Sequence, residues 1–144
     1  MIKYIFLLLP VFGFSQDKIP KKANSIEVNS ISFKELANGL LDAGYTFDKI
    51  DSNFQTIRTD FKEGSGKNKW MKLRLSTRMK DSVAIITGEW YNSMVIGSKL
   101  LGQEQTIENS TYKIECTYGN PKNCFLEMKA LAESFRKPTS YYVR

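Results

Sequence analysis

The residues of this chain best suited to chemistry form an alternation: Trp70, Lys72, Arg74, Ser76 and Arg78 on one side, Met71, Leu73, Leu75 and Met79 on the other. Successive side chains of an extended strand point to opposite faces, so this spacing gathers the cations on one surface. Arg58 and Lys62 join them from the preceding strand. Arginine makes forked contacts to phosphate, carboxylate or sulfate, and an indole supplies a stacking surface. The pattern predicts an anion-binding face built from Arg58, Trp70, Lys72, Arg74 and Arg78.

Other chemistry finds little support. The chain contains no histidine, which removes the commonest general base, the commonest metal ligand and the usual partner of a nucleophilic Ser or Cys. Cys116 and Cys124 have the wrong spacing for zinc or for a redox C-x-x-C pair. In an oxidising compartment they are expected to form a structural disulfide, stabilising the fold by roughly 2 to 3 kcal/mol on the chain-entropy model.

The stretch Gly64-Ser65-Gly66-Lys67 invites comparison with a phosphate-binding loop, but Phe61 and Asn68 stand where Gly and Ser or Thr are required, so it reads as a flexible hairpin loop. Asp48, Asp51 and Asn53 lack the Gly and the terminal Glu of a calcium loop. Asp60, Glu63, Asp81 and Glu89 are carboxylates of a kind used in hydrolysis, yet nothing selects a pair among them. No catalytic residue, metal or cofactor is expected. Asn109-Ser110-Thr111 matches a glycosylation acceptor, a match that would mean little were the protein bacterial.

The address comes from the start of the chain. Lys3, an apolar run from Tyr4 to Phe12, and Gly13-Phe14-Ser15 read as a signal peptide over 1–15, cleaved before Gln16. The run is too short, and interrupted by Pro10, to be the about 20 apolar residues of a spanning helix. Export to periplasm or medium is therefore expected, with no stable transmembrane anchor after cleavage. A formal net charge of +6 then points to acidic envelope partners and away from nucleic acid.

The elements that must position the basic face read as follows. Residues 16–24 are a polar, flexible leader, 25–137 one domain, and 138–144 a C-terminal tail. Ile26 and Val28 mark a half-buried strand. Ser32 and Glu35 form a capping box, with Phe33, Leu36, Ala37, Leu40 and Leu41 on one face and Gly44 as stop, predicting a helix over 33–43. Residues 45–62 form one interrupted strand or two short ones.

If Lys80-Asp81 is the next turn, Met71 falls opposite Trp90, Leu73 opposite Gly88, Leu75 opposite Ile86, Lys72 opposite Glu89 and Arg74 opposite Thr87. Residues 92–111 lack a clear period, and their apolar run fits core filler, an edge strand or a lid. Tyr112, Ile114, Cys116 and Tyr118 alternate as a last strand; Asn120-Pro121 opens a second helix whose buried face is Cys124, Phe125, Met128, Leu131, Ala132 and Phe135.

The order β-α-β-β-β-(β)-α predicts an α+β fold: one antiparallel sheet of four to five strands with two helices packed on one face. It resembles helix-grip and TATA-binding-protein-like arrangements, and the signal-plus-domain layout resembles small exported bacterial envelope proteins. That resemblance implies export and a single domain, and carries no functional residue. The function expected is a non-catalytic binding module whose open, basic sheet face takes an acidic envelope protein or polymer. The alternative is a small-ligand or lipid carrier with its groove between helix and sheet.

Overall fold

The computed structural model describes residues 18–92 and 110–144. The segment read as a signal peptide and residues 93–109, most of the stretch read as core filler, edge strand or lid, lie outside them. The elements run β1 (Ser25–Val28), α1 (Phe33–Asp42), β2 (Phe47–Asp51), β3 (Thr56–Thr59), β4 (Lys62–Glu63), β5 (Met71–Lys80), β6 (Val83–Asn92), β7 (Tyr112–Lys113), α2 (Gly119–Ser134) and β8 (Thr139–Tyr142). This is the expected α+β arrangement of one antiparallel sheet and two helices, but the sheet has eight strands in place of four to five.

The extra strands have a simple cause. The long β5–β6 hairpin is flanked on each side by two short strands that share one lane. Thr56 to Arg58 of β3 pair with Ser76 to Arg78, while Lys62 and Glu63 of β4 pair with Leu73 and Lys72. On the other side β1 takes Ala84 to Ile86, and β7 takes Glu89 and Trp90. The outer lanes are β2 and β8, giving the order β2-β3-β5-β6-β1-β8. β8 lies in the segment read as a tail, and its pairing with β1 shows that four residues without strong apolar alternation become a strand when an edge is available.

Helix α1 forms where its caps predict. Ser32 Oγ accepts from Glu35 N at 3.2 Å, and Glu35 Oε2 accepts from Ser32 N at 2.8 Å, satisfying two amides the first helical turn leaves unpaired. Leu36 and Leu40 are fully buried, and Gly44 at φ 81 turns the chain out. The break between β2 and β3 is equally local. Asp51 Oδ1 accepts from the amides of Asn53 and Phe54 at 3.0 and 3.1 Å, and Gln55 adopts φ 50, a side-chain-built turn typical of Asp.

The β5–β6 hairpin differs from expectation by two residues. Its turn is Asp81-Ser82, with Asp81 at φ 55, a left-handed position that Asp tolerates better than Lys. Leu73 therefore faces Trp90, Leu75 faces Gly88, and Arg74 faces Glu89. A slip of two keeps every side chain on its predicted face and changes only its partner. The contribution of β5 and β6 to the core is consequently the expected one, whereas Leu41, placed by its spacing on the apolar face of α1, is exposed. Ile26, Val28, Leu73, Leu75, Ala84 and Ile86 from the sheet and Phe125, Met128 and Ala132 from α2 share one buried cluster with Leu36 and Leu40 of α1.

Two further expectations fail. Only Tyr112 and Lys113 of the 112–118 segment lie in a strand; Ile114 N still donates to Gly88 O, after which the chain leaves β6 and pairs with the leader, Cys116 N donating to Ala23 O at 2.7 Å and Lys22 N to Cys116 O at 3.0 Å. This pins the end of the leader, where Ala23 and Asn24 are buried. The same geometry overturns the disulfide: Cys116 and Cys124 are both free thiols. Cys124 faces the core from α2, its Sγ 3.7 Å from Met71 Sδ, while the Cys116 backbone is held against residues 22 and 23. Burial, and then the nearby Glu127 carboxylate, push the Cys124 thiol up to about 12, so it remains protonated and inert.

Candidate functional site

The side of the sheet away from the helices carries its polar residues in registered rows. One row runs Thr56, Arg78, Ile85, Glu27 and Ser140 across β3, β5, β6, β1 and β8. The next runs Lys49, Arg58, Ser76 and Thr87 across β2, β3, β5 and β6. Arg74 opposite Glu89 and Lys72 opposite Tyr91 continue toward the far end. Partners in an antiparallel ladder share a face, so Arg58, Lys72, Arg74 and Arg78 do stand on one surface.

They are not equivalent. Arg74 Nη2 donates to Glu89 Oε2 at 3.0 Å, and its guanidinium lies 4.4 Å from the centre of the Phe61 ring, which itself meets Tyr91 edge-on at 4.8 Å. This is a charge already answered by a carboxylate and an aromatic face. Lys72 sits in register between Glu63 and Tyr91. Trp70, expected at the edge of the face, is half-buried against the core cluster; Phe61 and Tyr91 supply the aromatic edge. Lys62 points the other way, its Nζ donating to Ala43 O at the end of α1 and lying 4.7 Å from the centre of the Tyr45 ring.

At the opposite end the face dips into a basin of about 430 Å³, lined among others by Lys49, Arg58, Arg78 and Arg144, with Ile85 as an apolar floor and Thr56, Ser76 and Thr87 supplying hydroxyls. Arg58 donates from Nε at 2.6 Å and from Nη2 at 2.5 Å to Asp48 Oδ2, and Arg144 pairs with Glu27. Lys49 and Arg78 make no salt bridge among the described residues. Two of the four cations thus have carboxylate partners, while Lys49 and Arg78 are exposed without one; Asp51, in register with Thr56 at the β2 end of the first row, is engaged by the amides of Asn53 and Phe54.

Lys49 and Arg144 were missed from sequence. The alternation of Lys49 with Ile50 in β2 carried a usable signal; Arg144 carried none, because its position depends on β8 joining β1. The loop at Gly64 to Asn68 has a structural role. Ser65 N and Asn68 Nδ2 donate to Glu127 Oε1 at 2.7 and 3.2 Å, so its backbone serves an internal carboxylate and ties the loop to α2. Asp60 accepts from the Thr46 hydroxyl at 2.8 Å, Glu89 holds Arg74, and Asp81 lies in the hairpin turn.

A larger cleft of about 640 Å³ lies between α1 and α2, lined by Glu35, Asp42, Glu127, Lys62 and Lys137 among others. A Cβ at Gly39 would stand 2.1 Å from Phe135 Cε1, so the helices approach closely at its margin. Among the described residues no three His, Cys, Asp or Glu side chains converge to hold a metal ion, and no helix is long and apolar enough to cross a membrane. No family model matches the chain, and no curated protein matches it.

Proposed function

We propose that the protein is a non-catalytic, exported binding module that holds an acidic envelope partner on the open face of its sheet. The observation that carries this reading is the basin, where Lys49 and Arg78 stand uncovered beside Arg58 and Arg144. Surface cations attract anions over about 10 Å at 0.1 M salt, and a concave, hydroxyl-lined site adds hydrogen bonds to that attraction. A small-ligand carrier has weaker support. The interior between helices and sheet is filled by side chains with no exposure, such as Leu36, Leu40, Phe125 and Met128, and the cleft between the helices is rimmed by charges of both signs.

The test is retention of the mature protein on an anionic polymer at low salt. Lys49→Gln with Arg78→Gln should lower retention far more than Lys21→Gln with Lys122→Gln, which removes equal charge from exposed positions elsewhere. Equal losses from the two pairs would reduce the attraction to net charge and sink the reading.

A further inference from the structure

The β2–β3 hairpin carries more than cations. At its tip Phe54 is 76% exposed and Ile50, on β2, 49%. The tip is not slack: Asp51 Oδ1 holds the Asn53 and Phe54 amides, Gln55 is in the left-handed region, and Gln55 O accepts from Met79 N at 3.0 Å. A single exposed aromatic is ordinary. Here a built turn holds one at the tip of a hairpin, and the same hairpin supplies Lys49, Thr56 and Arg58 to the basin.

Charge complementarity narrows the ligand. A carboxylate needs one fork, whereas this basin holds two cations with no salt-bridge partner and adds the Thr56 and Ser76 hydroxyls, the Thr87 hydroxyl already donating to Ser76 O at 3.2 Å, which suits an anion with two charges and several acceptor oxygens. A phosphomonoester has that form, with about −1.5 to −2 charge at pH 7. An exposed apolar ring on the same hairpin as cations favours a bilayer surface as its source, since such a ring buries at the headgroup–acyl boundary while Lys and Arg meet anionic heads.

We propose that the β2–β3 hairpin is a membrane-surface element: Phe54 enters the interfacial layer of an anionic bilayer while the adjoining basin takes a phosphomonoester headgroup. This rests on the open face being an anion-binding surface and names its partner. The groups facing the headgroup are Lys49 from β2, Thr56 and Arg58 from β3, Ser76 and Arg78 from β5, Thr87 from β6 and Arg144, with Asp48 and Glu27 paired to two of the arginines and Asp51, in register with Thr56, at the β2 end of the row. None is a histidine, the one side chain whose ordinary pKa lies between about pH 5 and 8. Any pH dependence in that window therefore belongs to the lipid, whose second ionisation lies near pH 6.

The experiment is co-sedimentation of the full chain, matured in its host, with phosphatidylcholine vesicles containing phosphatidic acid or, at equal mole fraction, phosphatidylglycerol. Phosphatidic acid vesicles should bind more tightly at about pH 8, and the preference should shrink toward about pH 5 as the phosphomonoester becomes a monoanion. Lys49→Gln with Arg78→Gln should weaken binding about tenfold or more, at about 1 kcal/mol per cation near an anionic surface. Phe54→Ser should weaken it several-fold on the same vesicles, with retention on an anionic polymer unchanged.

Equal binding to the two lipids, or no effect of Phe54→Ser, overturns the membrane inference and leaves the anionic face standing. Binding to polyglutamate but to neither vesicle does the same. Displacement of bound polymer by soluble glycerol 3-phosphate, with no vesicle binding, overturns the bilayer as the source. If neither polymer nor vesicle binds, or if the double substitution changes nothing, the reading of the open face falls with it.

Discussion

At one end of the open sheet face Arg74 lies against Glu89 and over Phe61; at the other Arg78 faces Thr56 and Ile85 and makes no salt bridge among the described residues, the carboxylates of its row, Asp51 and Glu27, standing one strand further out on either side. The two arginines belong to one strand, on one face, four residues apart, and their strand alone does not distinguish them. What separates them is what β6 and the neighbouring segments bring opposite. A guanidinium within 3.0 Å of a carboxylate has spent most of its attraction for an incoming anion, whereas one opposite an isoleucine keeps it. Availability of a cation is thus decided by the partner strand and its register.

The largest effect should come from disturbing the register at the partnered end. Gly88 faces Leu75, and a Cβ there would lie 2.6 Å from Ile114 Cδ1 and 3.0 Å from Arg74 O. Ile114 can turn aside, but the backbone carbonyl between β5 and β6 cannot. Gly88→Val should destabilise the protein by about 1 to 3 kcal/mol, measured as a shift of the urea midpoint. If stability were unchanged, the close approach of β5, β6 and Ile114 would not be what holds this end together.

A smaller and more pointed effect contrasts the two arginines directly. Glu89→Gln leaves Arg74, whose side chain is only 22% exposed, without its charged partner, and should lose about 1 kcal/mol. Arg78→Gln, with no pair to break, should stay within about 0.5 kcal/mol. Ligand capture should move the opposite way: Arg78→Gln weakens it, and Glu89→Gln strengthens it at low salt by releasing Arg74. Equal stability losses from the two substitutions would erase the distinction between the ends.

How much of this could be read without the fold follows from the same contrast. Period-2 alternation fixes the face of a side chain, so the core set of β5 and β6 and the cationic set behind it were both legible. The capping box at Ser32 and Glu35 was legible because its hydrogen bonds span three residues. Partners were not legible, since a turn at Asp81-Ser82 and one at Lys80-Asp81 satisfy the same pattern and differ in whether Arg74 meets Glu89 or Thr87. The basin needed more still: Arg144 enters only because β8 adds to β1, and Cys116 stays apart from Cys124 because its backbone pairs with residues 22 and 23, contacts separated by about a hundred residues of chain that no local pattern encodes.

If partnering is what converts a charge from available to structural, an exposed carboxylate that is hydrogen-bonded by backbone should behave like the partnered end. Glu35 is such a group. The Ser32 amide, then the Ser32 hydroxyl, and more weakly the Lys137 ammonium hold its carboxyl below its ordinary value of 4.5. A carboxyl whose folded pKa is depressed stabilises the fold above the unfolded value and loses that contribution as pH falls through the folded one. Glu35→Gln keeps the side-chain oxygen of the capping box and removes only the charge. The difference in urea midpoint between the natural chain and Glu35→Gln should therefore be constant around neutrality, smaller than the effect of Glu89→Gln, and should vanish as pH falls below about 4.5. A difference that persists in acid would trace the effect to packing or to the hydrogen bond itself, and charge partnering would then not be the common principle linking α1 to the two ends of the sheet.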